Sequence, residues 1–153
     1  MADEVKVIAE NRKARHAYDL LERVEAGVQL MGTEVKSLRS GQAELAQAYV
    51  EIRGGEAWVV GASIPEYAQG AGANHRPDRD RKLLLHRSEI ERLYERVREK
   101  GLTLVPLRLY FKGGRVKLEV ALARGRNVHD KRHAIAEREV KRQIDRELKS
   151  RRR

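Results

Sequence analysis

The sequence predicts a mainly β fold with flanking helices, a small antiparallel barrel followed by a basic C-terminal tail. Three observations carry this. Stretches with apolar residues at alternate positions recur between glycine-rich turns, the pattern of sequential hairpins. Only two helix signals interrupt them. Behind the last strand the chain turns strongly cationic, with 12 Lys and Arg against 5 Asp and Glu from Arg124 to Arg153.

Taken in order, Asn11 to His16 form a polar, basic opening. Tyr18 to Val24 place Tyr18, Leu20 and Val24 at even positions, a strand whose alternation is broken at Leu21 and Glu22. Gly32-Thr33 begins a short helix, with Thr33 as N-cap, Val35 and Leu38 on one face and Gly41 as the stop. Leu45 to Arg53 and Ala57 to Ile64 flank Gly54-Gly55, a hairpin signal. Pro65 to Arg81 holds two of the three prolines and reads as a surface loop. Ser88 with Glu91 forms a capping box, and Ile90, Leu93, Tyr94 and Val97 follow at helical spacing up to Gly101. Thr103 to Phe111 is a strand in which Pro106 predicts an edge or a bulge. After the turn Lys112 to Arg115, Val116, Leu118, Val120 and Leu122 alternate cleanly with Lys117, Glu119 and Ala121. Five or six such strands suit a small closed barrel of the oligonucleotide-binding type.

The barrel is expected over residues 1–123 and the basic tail over 124–153. In the tail, Ala136, Val140, Ile144 and Leu148 recur every fourth residue and make a thin stripe among cations. A stripe so narrow does not hold a lone helix together in water. The expectation is an arm that is disordered when free and helical against RNA; a terminal helix docked on the barrel is the alternative.

At 153 residues the chain suits one compact domain with an appendage. Its net charge is +10 and its pI about 10.1, a field that favours a polyanionic partner. It has no cysteine, so disulfides and thiolate metal sites are excluded. The first ten residues lack the apolar run of a signal peptide, and no stretch approaches the ~20 apolar residues of a membrane span. A soluble, cytoplasmic protein with no membrane partner is expected.

Catalytic motifs are missing. There is no P-loop, dinucleotide fingerprint, nucleophile elbow or HExxH. His129 and His133 are four apart, but two imidazoles fall short of a zinc site. The expectation is a non-enzyme with no cofactor, no metal and no small-molecule substrate. The alternatives are a metal-dependent RNA nuclease using Asp78, Asp80 and Glu119, or a general basic ribosomal protein.

Three basic clusters carry the binding expectation: Arg12, Lys13 and Arg15 with His16; Arg76, Arg79, Arg81 and Lys82 with Arg87; and Arg124, Arg126, Lys131 and Arg132. Guanidinium forks suit phosphate oxygens. His16 and Tyr18 offer planar faces to unstacked bases, and the Asn11 amide can address a base edge or a 2′-hydroxyl. Glu25, ahead of Ala26-Gly27, is a carboxylate with no partner evident in the sequence. It can accept from a nucleobase amino group, and a surface salt bridge is an equally cheap use of it.

Several longer motifs resemble the SsrA-binding protein family, also called small protein B. They are Asn11-Arg12-Lys13-Ala14-Arg15-His16, Glu25-Ala26-Gly27, Gly32 to Arg39, Asn74-His75 with Pro77 and Arg79, Arg81 to His86, Lys100 to Pro106, and Asp130-Lys131-Arg132. They span almost the whole chain. The resemblance implies an oligonucleotide-binding-type barrel with flanking helices. It implies a protein that binds the tRNA-like domain of transfer-messenger RNA and delivers it to stalled ribosomes for trans-translation.

On the resemblance, Asn11, His16 and Glu25 match positions that meet the tRNA-like domain, Gly27 belongs to the same motif as Glu25, and Lys13 and Lys82 would meet phosphate. Asp130, Lys131 and Arg132 match the tail's root in the small-subunit decoding region. Ile135, Arg138, Lys141 and Arg142 would belong to a tail that enters the mRNA channel. Two positions depart from the family pattern: Asn127 stands where a lysine is common, and Val140 where many relatives carry an aromatic residue.

Overall fold

The computed structural model describes residues 4–99 and 101–125. Seven strands and three helices follow one another as β1 (Val5–Glu10), α1 (Arg12–Ala17), β2 (Tyr18–Val28), α2 (Gly32–Arg39), β3 (Tyr49–Arg53), β4 (Glu56–Val60), β5 (Arg81–Leu84), α3 (Arg87–Val97), β6 (Leu102–Lys112) and β7 (Arg115–Gly125). Every pairing is antiparallel. The strand order is β1-β6-β3-β4-β5-β2-β7, and β7 pairs again with β6. Six strands therefore close a ring, and β1 lies outside it on the far half of β6. Closure leaves the ring without a free edge.

The core fills this ring. Alternate residues of each strand point in, among them Ala26, Val50, Val59, Leu83, Leu104, Leu118 and Leu122, and α2 and α3 add Leu38 and Leu93. A smaller apolar cluster lies outside the ring, where Ala14 of α1 covers Val105, Leu107, Ala121 and Ala123. That second layer explains why β6 is buried on both faces.

Pro106 produces the predicted bulge. The β6–β7 register shifts between Pro106 and Arg108, so Leu107 lies with Val105 in the cluster beneath α1 while Leu109 returns to the core. β6 is a central strand, so the edge alternative does not hold. A second register shift between Leu20 and Glu22 explains the broken alternation of β2, which runs on to Val28. Gly54 and Gly55 both have positive φ, 55° and 77°, as a two-residue hairpin between right-twisted strands requires.

Both predicted helix starts move. α2 is capped at Met31, whose N–H donates to Glu34 at 2.8 Å. Thr33 lies inside the helix, with its hydroxyl 2.9 Å from His75 Nδ1. α3 is capped at His86, and Glu89, not Glu91, accepts the cap N–H at 3.0 Å. Glu91 pairs with Arg87 one turn away. The segment read as a loop from Pro65 is pinned from within. Asn74 bonds both backbone groups of Tyr67, and the buried His75 bridges Thr33 and the Ile64 carbonyl.

Candidate nucleic-acid interface

The opening cluster forms α1. Ala14 and Ala17 turn inward, so Arg12, Lys13, Arg15 and His16 stand exposed on the opposite side. Arg12 keeps 87% of its side chain in solvent, with Glu10 3.9 Å away. Asn11 holds this helix in place. Its Oδ1 accepts the Ala14 N–H at 3.1 Å, its amide donates to the Pro106 carbonyl at 2.9 Å, and its own N–H donates to the Leu107 carbonyl at 2.7 Å. The residue is 5% exposed. This corrects the sequence expectation: the amide is spent on the bulge of β6 and does not face outward to a base edge. Beside it, Lys13, Tyr18, Gln47 and Tyr49 line a groove of about 210 Å³. Tyr49 is 46% exposed there, an aromatic face that the sequence reading missed.

A larger open cleft, about 890 Å³, lies where β2, the β3–β4 turn, β5 and the start of α3 meet. Its lining includes Glu25, Gly27, Lys82, Leu84, His86 and Lys117. Three of these were singled out from the sequence. Lys117 was not, although its place in the alternating β7 strand points it outward. Lys82 donates to Glu56 at 3.2 Å.

Glu25 has partners that the sequence does not reveal. Tyr110 Oη donates to its Oε2 at 2.5 Å, and Lys112 Nζ reaches Oε2 at 3.3 Å and Oε1 at 3.4 Å. The strand registers align Glu25 with Glu119 and Arg108, and Gly27 with Lys117 and Tyr110, in two rows on the outer face. The Arg108 guanidinium stands 4.8 Å over the Tyr110 ring. The Tyr110 hydrogen bond, with Lys112 and Lys117, holds the Glu25 carboxyl below its ordinary 4.5 against the opposing effect of burial. Burial, with Glu25 beside it, pushes the Tyr110 phenol up.

Arg81 is turned away from the surface, contrary to expectation, and Arg79 is engaged within the fold with 26% of its side chain exposed. Arg81 is 1% exposed and donates through Nε to Glu34 Oε2 at 2.5 Å, while its Nη atoms bond the carbonyls of Ala62, Pro77 and Arg79. Arg79 places Nε and Nη2 on the same carboxylate. Glu34 is fully buried. Burial raises its pKa, but Arg79, the Met31 N–H and Arg81 outweigh that and hold it lowered. The two arginines lock the 65–80 segment and the start of β5 onto α2. Asp80, one of the three carboxylates of the nuclease alternative, accepts from Arg53 at 2.9 Å.

Arg124, assigned to the tail from sequence, is exposed near the end of β7, opposite Asp19 and Leu102. Arg126, Asp130, Lys131, Arg132, Ile135, Arg138, Lys141 and Arg142 lie outside the described residues. Tyr18 and Glu25 are seven residues apart on β2, about 23 Å at ~3.3 Å per residue, so the α1 groove and the Glu25 cleft occupy opposite ends of that strand. Among the described residues no three His, Asp or Glu side chains come together as a metal-binding group, and no helix is long and apolar enough to cross a membrane.

Comparison with known proteins adds a consistent pattern. The family model described as SmpB protein matches residues 8–150. An SsrA-binding protein of Kineococcus radiotolerans is 58% identical over 146 residues, covering 95% of this chain and 94% of the relative. One from Parafrankia sp. is 57% identical over 141 residues, covering 92% and 89%. A chain from a solved structure described as "tmRNA-SmpB: a journey to the center of the bacterial ribosome" superposes with a TM-score of 0.66 at 47% identity, covering 78% of this chain and 85% of that one.

Proposed function

The chain belongs to the SmpB protein family, and from that premise we propose that it binds the tRNA-like domain of transfer-messenger RNA and delivers it to stalled ribosomes for trans-translation. The observation that carries the reading is the family match over residues 8–150, which takes in both basic surfaces of the barrel and most of the tail. The geometry supports it. A rigid closed barrel holds α1 with its cations outward at one end of β2 and an ion-lined cleft at the other. Fixed cations supply phosphate contacts, and exposed aromatic faces and a carboxylate supply base contacts, the two kinds of readout that RNA recognition combines.

In this reading Arg12, Lys13, His16, Tyr18, Tyr49 and Arg124 form one contact surface, and Glu25, Gly27, Lys82 and Lys117 the other. The barrel, which runs on through β7 to Gly125, acts as the RNA-binding part. The residues after it act as the ribosome-directed tail, with Asp130, Lys131 and Arg132 at the decoding region and Ile135, Arg138, Lys141 and Arg142 in the mRNA channel. The protein works in the cytoplasm, uses no cofactor, and contributes no bond-making step of its own.

Competition binding tests this. Labelled transfer-messenger RNA is titrated with the full chain against bulk tRNA at rising salt. The expected result is a preference that persists as salt rises, because nonspecific phosphate contacts fade steeply and discriminate little. Equal affinity for both RNAs would overturn the reading, and so would cleavage of the RNA during incubation with magnesium.

A further inference from the structure

We propose that Tyr110 and Lys112 are positioning residues for Glu25, and that the carboxylate they aim reads paired hydrogen-bond donors on an RNA base, the Watson–Crick edge of a guanine. The inference rests on the RNA-binding reading of the cleft and goes beyond it by naming what one acidic group of its lining recognises.

The cleft is lined by three carboxylates. Glu56 bonds Lys82, and Glu89 accepts the N–H that caps α3. Glu25 alone is held from β6, two strands away, by a phenol and an ammonium. An ionised carboxylate only accepts hydrogen bonds. It repels phosphate, so against RNA its partners are base N–H groups or 2′-hydroxyls. Among the four bases guanine alone presents two adjacent donors, the N1–H and the 2-amino group, which match the two oxygens of a carboxylate. Adenine and cytosine each set one amino group beside an acceptor nitrogen, and uracil flanks its single N–H with carbonyls. Lys82 and Lys117 stand around Glu25, placed for the phosphates on either side of the base that it reads.

Tyr110 makes this selective. Its hydroxyl engages Oε2 at 2.5 Å, while Oε1 has only the Lys112 contact at 3.4 Å. The carboxylate is therefore held chiefly through Oε2, and Oε1 is its less engaged oxygen. Tyr110 is itself buried, with Arg108 over its ring, so its hydroxyl does not follow the RNA.

The test uses the full chain, a tRNA-like-domain transcript and a set of transcripts each carrying one guanosine-to-inosine replacement, which deletes only the 2-amino group. Wild type, Tyr110→Phe, Lys112→Met, Glu25→Gln and the Tyr110→Phe/Glu25→Gln double variant are compared. One inosine position should weaken wild-type binding about tenfold and leave the Glu25→Gln protein unaffected. Tyr110→Phe should cost a similar factor alone and nothing further on top of Glu25→Gln.

A pH series adds a readout that a merely structural tyrosine does not move. The Tyr110 bond is the largest influence lowering Glu25, so its loss lets the carboxyl titrate higher, and binding should fail at a higher pH in Tyr110→Phe than in wild type. The other titratable and charged groups around Glu25 are common to both proteins: Lys112 and Arg108 of β6, Lys117 and Glu119 of β7, Lys82 of β5, and Glu56, His86, Arg87 and Glu89 across the cleft. Lys112→Met alters a partly exposed side chain, and with it a smaller loss of the same sign is expected even if Tyr110→Phe folds poorly. Additive Tyr110 and Glu25 effects, or an inosine map with no Glu25-dependent position, would overturn the proposal. Wild-type affinity in Glu25→Gln would instead remove the cleft from the RNA-binding surface altogether.

Discussion

Glu34→Gln isolates the buried ion cluster and is the sharpest test of what holds the barrel to its long loop. The carboxylate is fully buried and accepts from Arg79 through two nitrogens, from Arg81 Nε and from the Met31 N–H. Glutamine keeps the volume and one acceptor, but it removes the charge and turns an NH2 toward guanidinium donors. Arg81, 1% exposed, is then a cation without its counter-ion. Breaking a buried pair from one side costs about 3–5 kcal/mol. For a barrel of this size a kilocalorie shifts the melting temperature by about 4 °C, so a fall of about 12–20 °C is expected by calorimetry or circular dichroism. The sign of the pH effect follows from the lowered pKa of Glu34. Its contribution is complete above the ordinary 4.5 and is lost as pH falls through the lower folded-state value, so the variant should lose less stability on acidification than wild type does. A melting point within about 4 °C of wild type would refute the reasoning, since it would mean that the cluster is worth under about 1 kcal/mol.

Asn11→Ala removes the α1 cap and the tether to Pro106, and should cost about 2–3 kcal/mol in thermal or denaturant melts. Full stability with weakened RNA binding would show that the amide faces RNA after all. Lys13→Ala should lower the slope of log Kd against log salt by about one phosphate contact, whereas Arg81→Met should lower the melting temperature and leave that slope unchanged. Truncation after Gly125 should leave binding to the tRNA-like domain within a fewfold of the full chain and abolish tagging in a reconstituted trans-translation assay. Equal loss of both would place the tail on the primary RNA surface.

The fold was legible where side chains answer to their own strand. β7, the β3–β4 hairpin and the α3 stripe are each set by local alternation, paired glycines or helical spacing. It was less legible where a distant residue decides. Thr33 is a good N-cap in isolation, yet its hydroxyl bonds His75, 42 residues away, and the cap passes to Met31 through Glu34. β5 is four residues long, and its hydropathy does not alternate although its burial does, because the inward positions are taken by Arg81, held on Glu34, and Leu83. β1 is a six-residue strand added outside the ring against β6, and with its two valines exposed it shows none of the inward periodicity that reveals a barrel strand.

The same distinction governs the site. Counting cations treats Arg12 and Arg81 alike, yet one has 87% of its side chain in water and the other is sealed under Glu34. The difference is made by one acid 45 and 47 residues upstream of its two arginines, and no local pattern in Arg76 to Lys82 announces it. Because that acid absorbs one of the two charges and burial removes the Arg81 guanidinium from the surface, the loop offers an RNA less than its count of arginines suggests. Of the exposed cations, those assigned to RNA sit on α1 and around the Glu25 cleft, about 23 Å apart along β2. Two separated patches on a rigid shell require a partner whose backbone is shaped to reach both. A shape requirement of that kind discriminates a folded RNA from a flexible one, which the net charge of the chain cannot do.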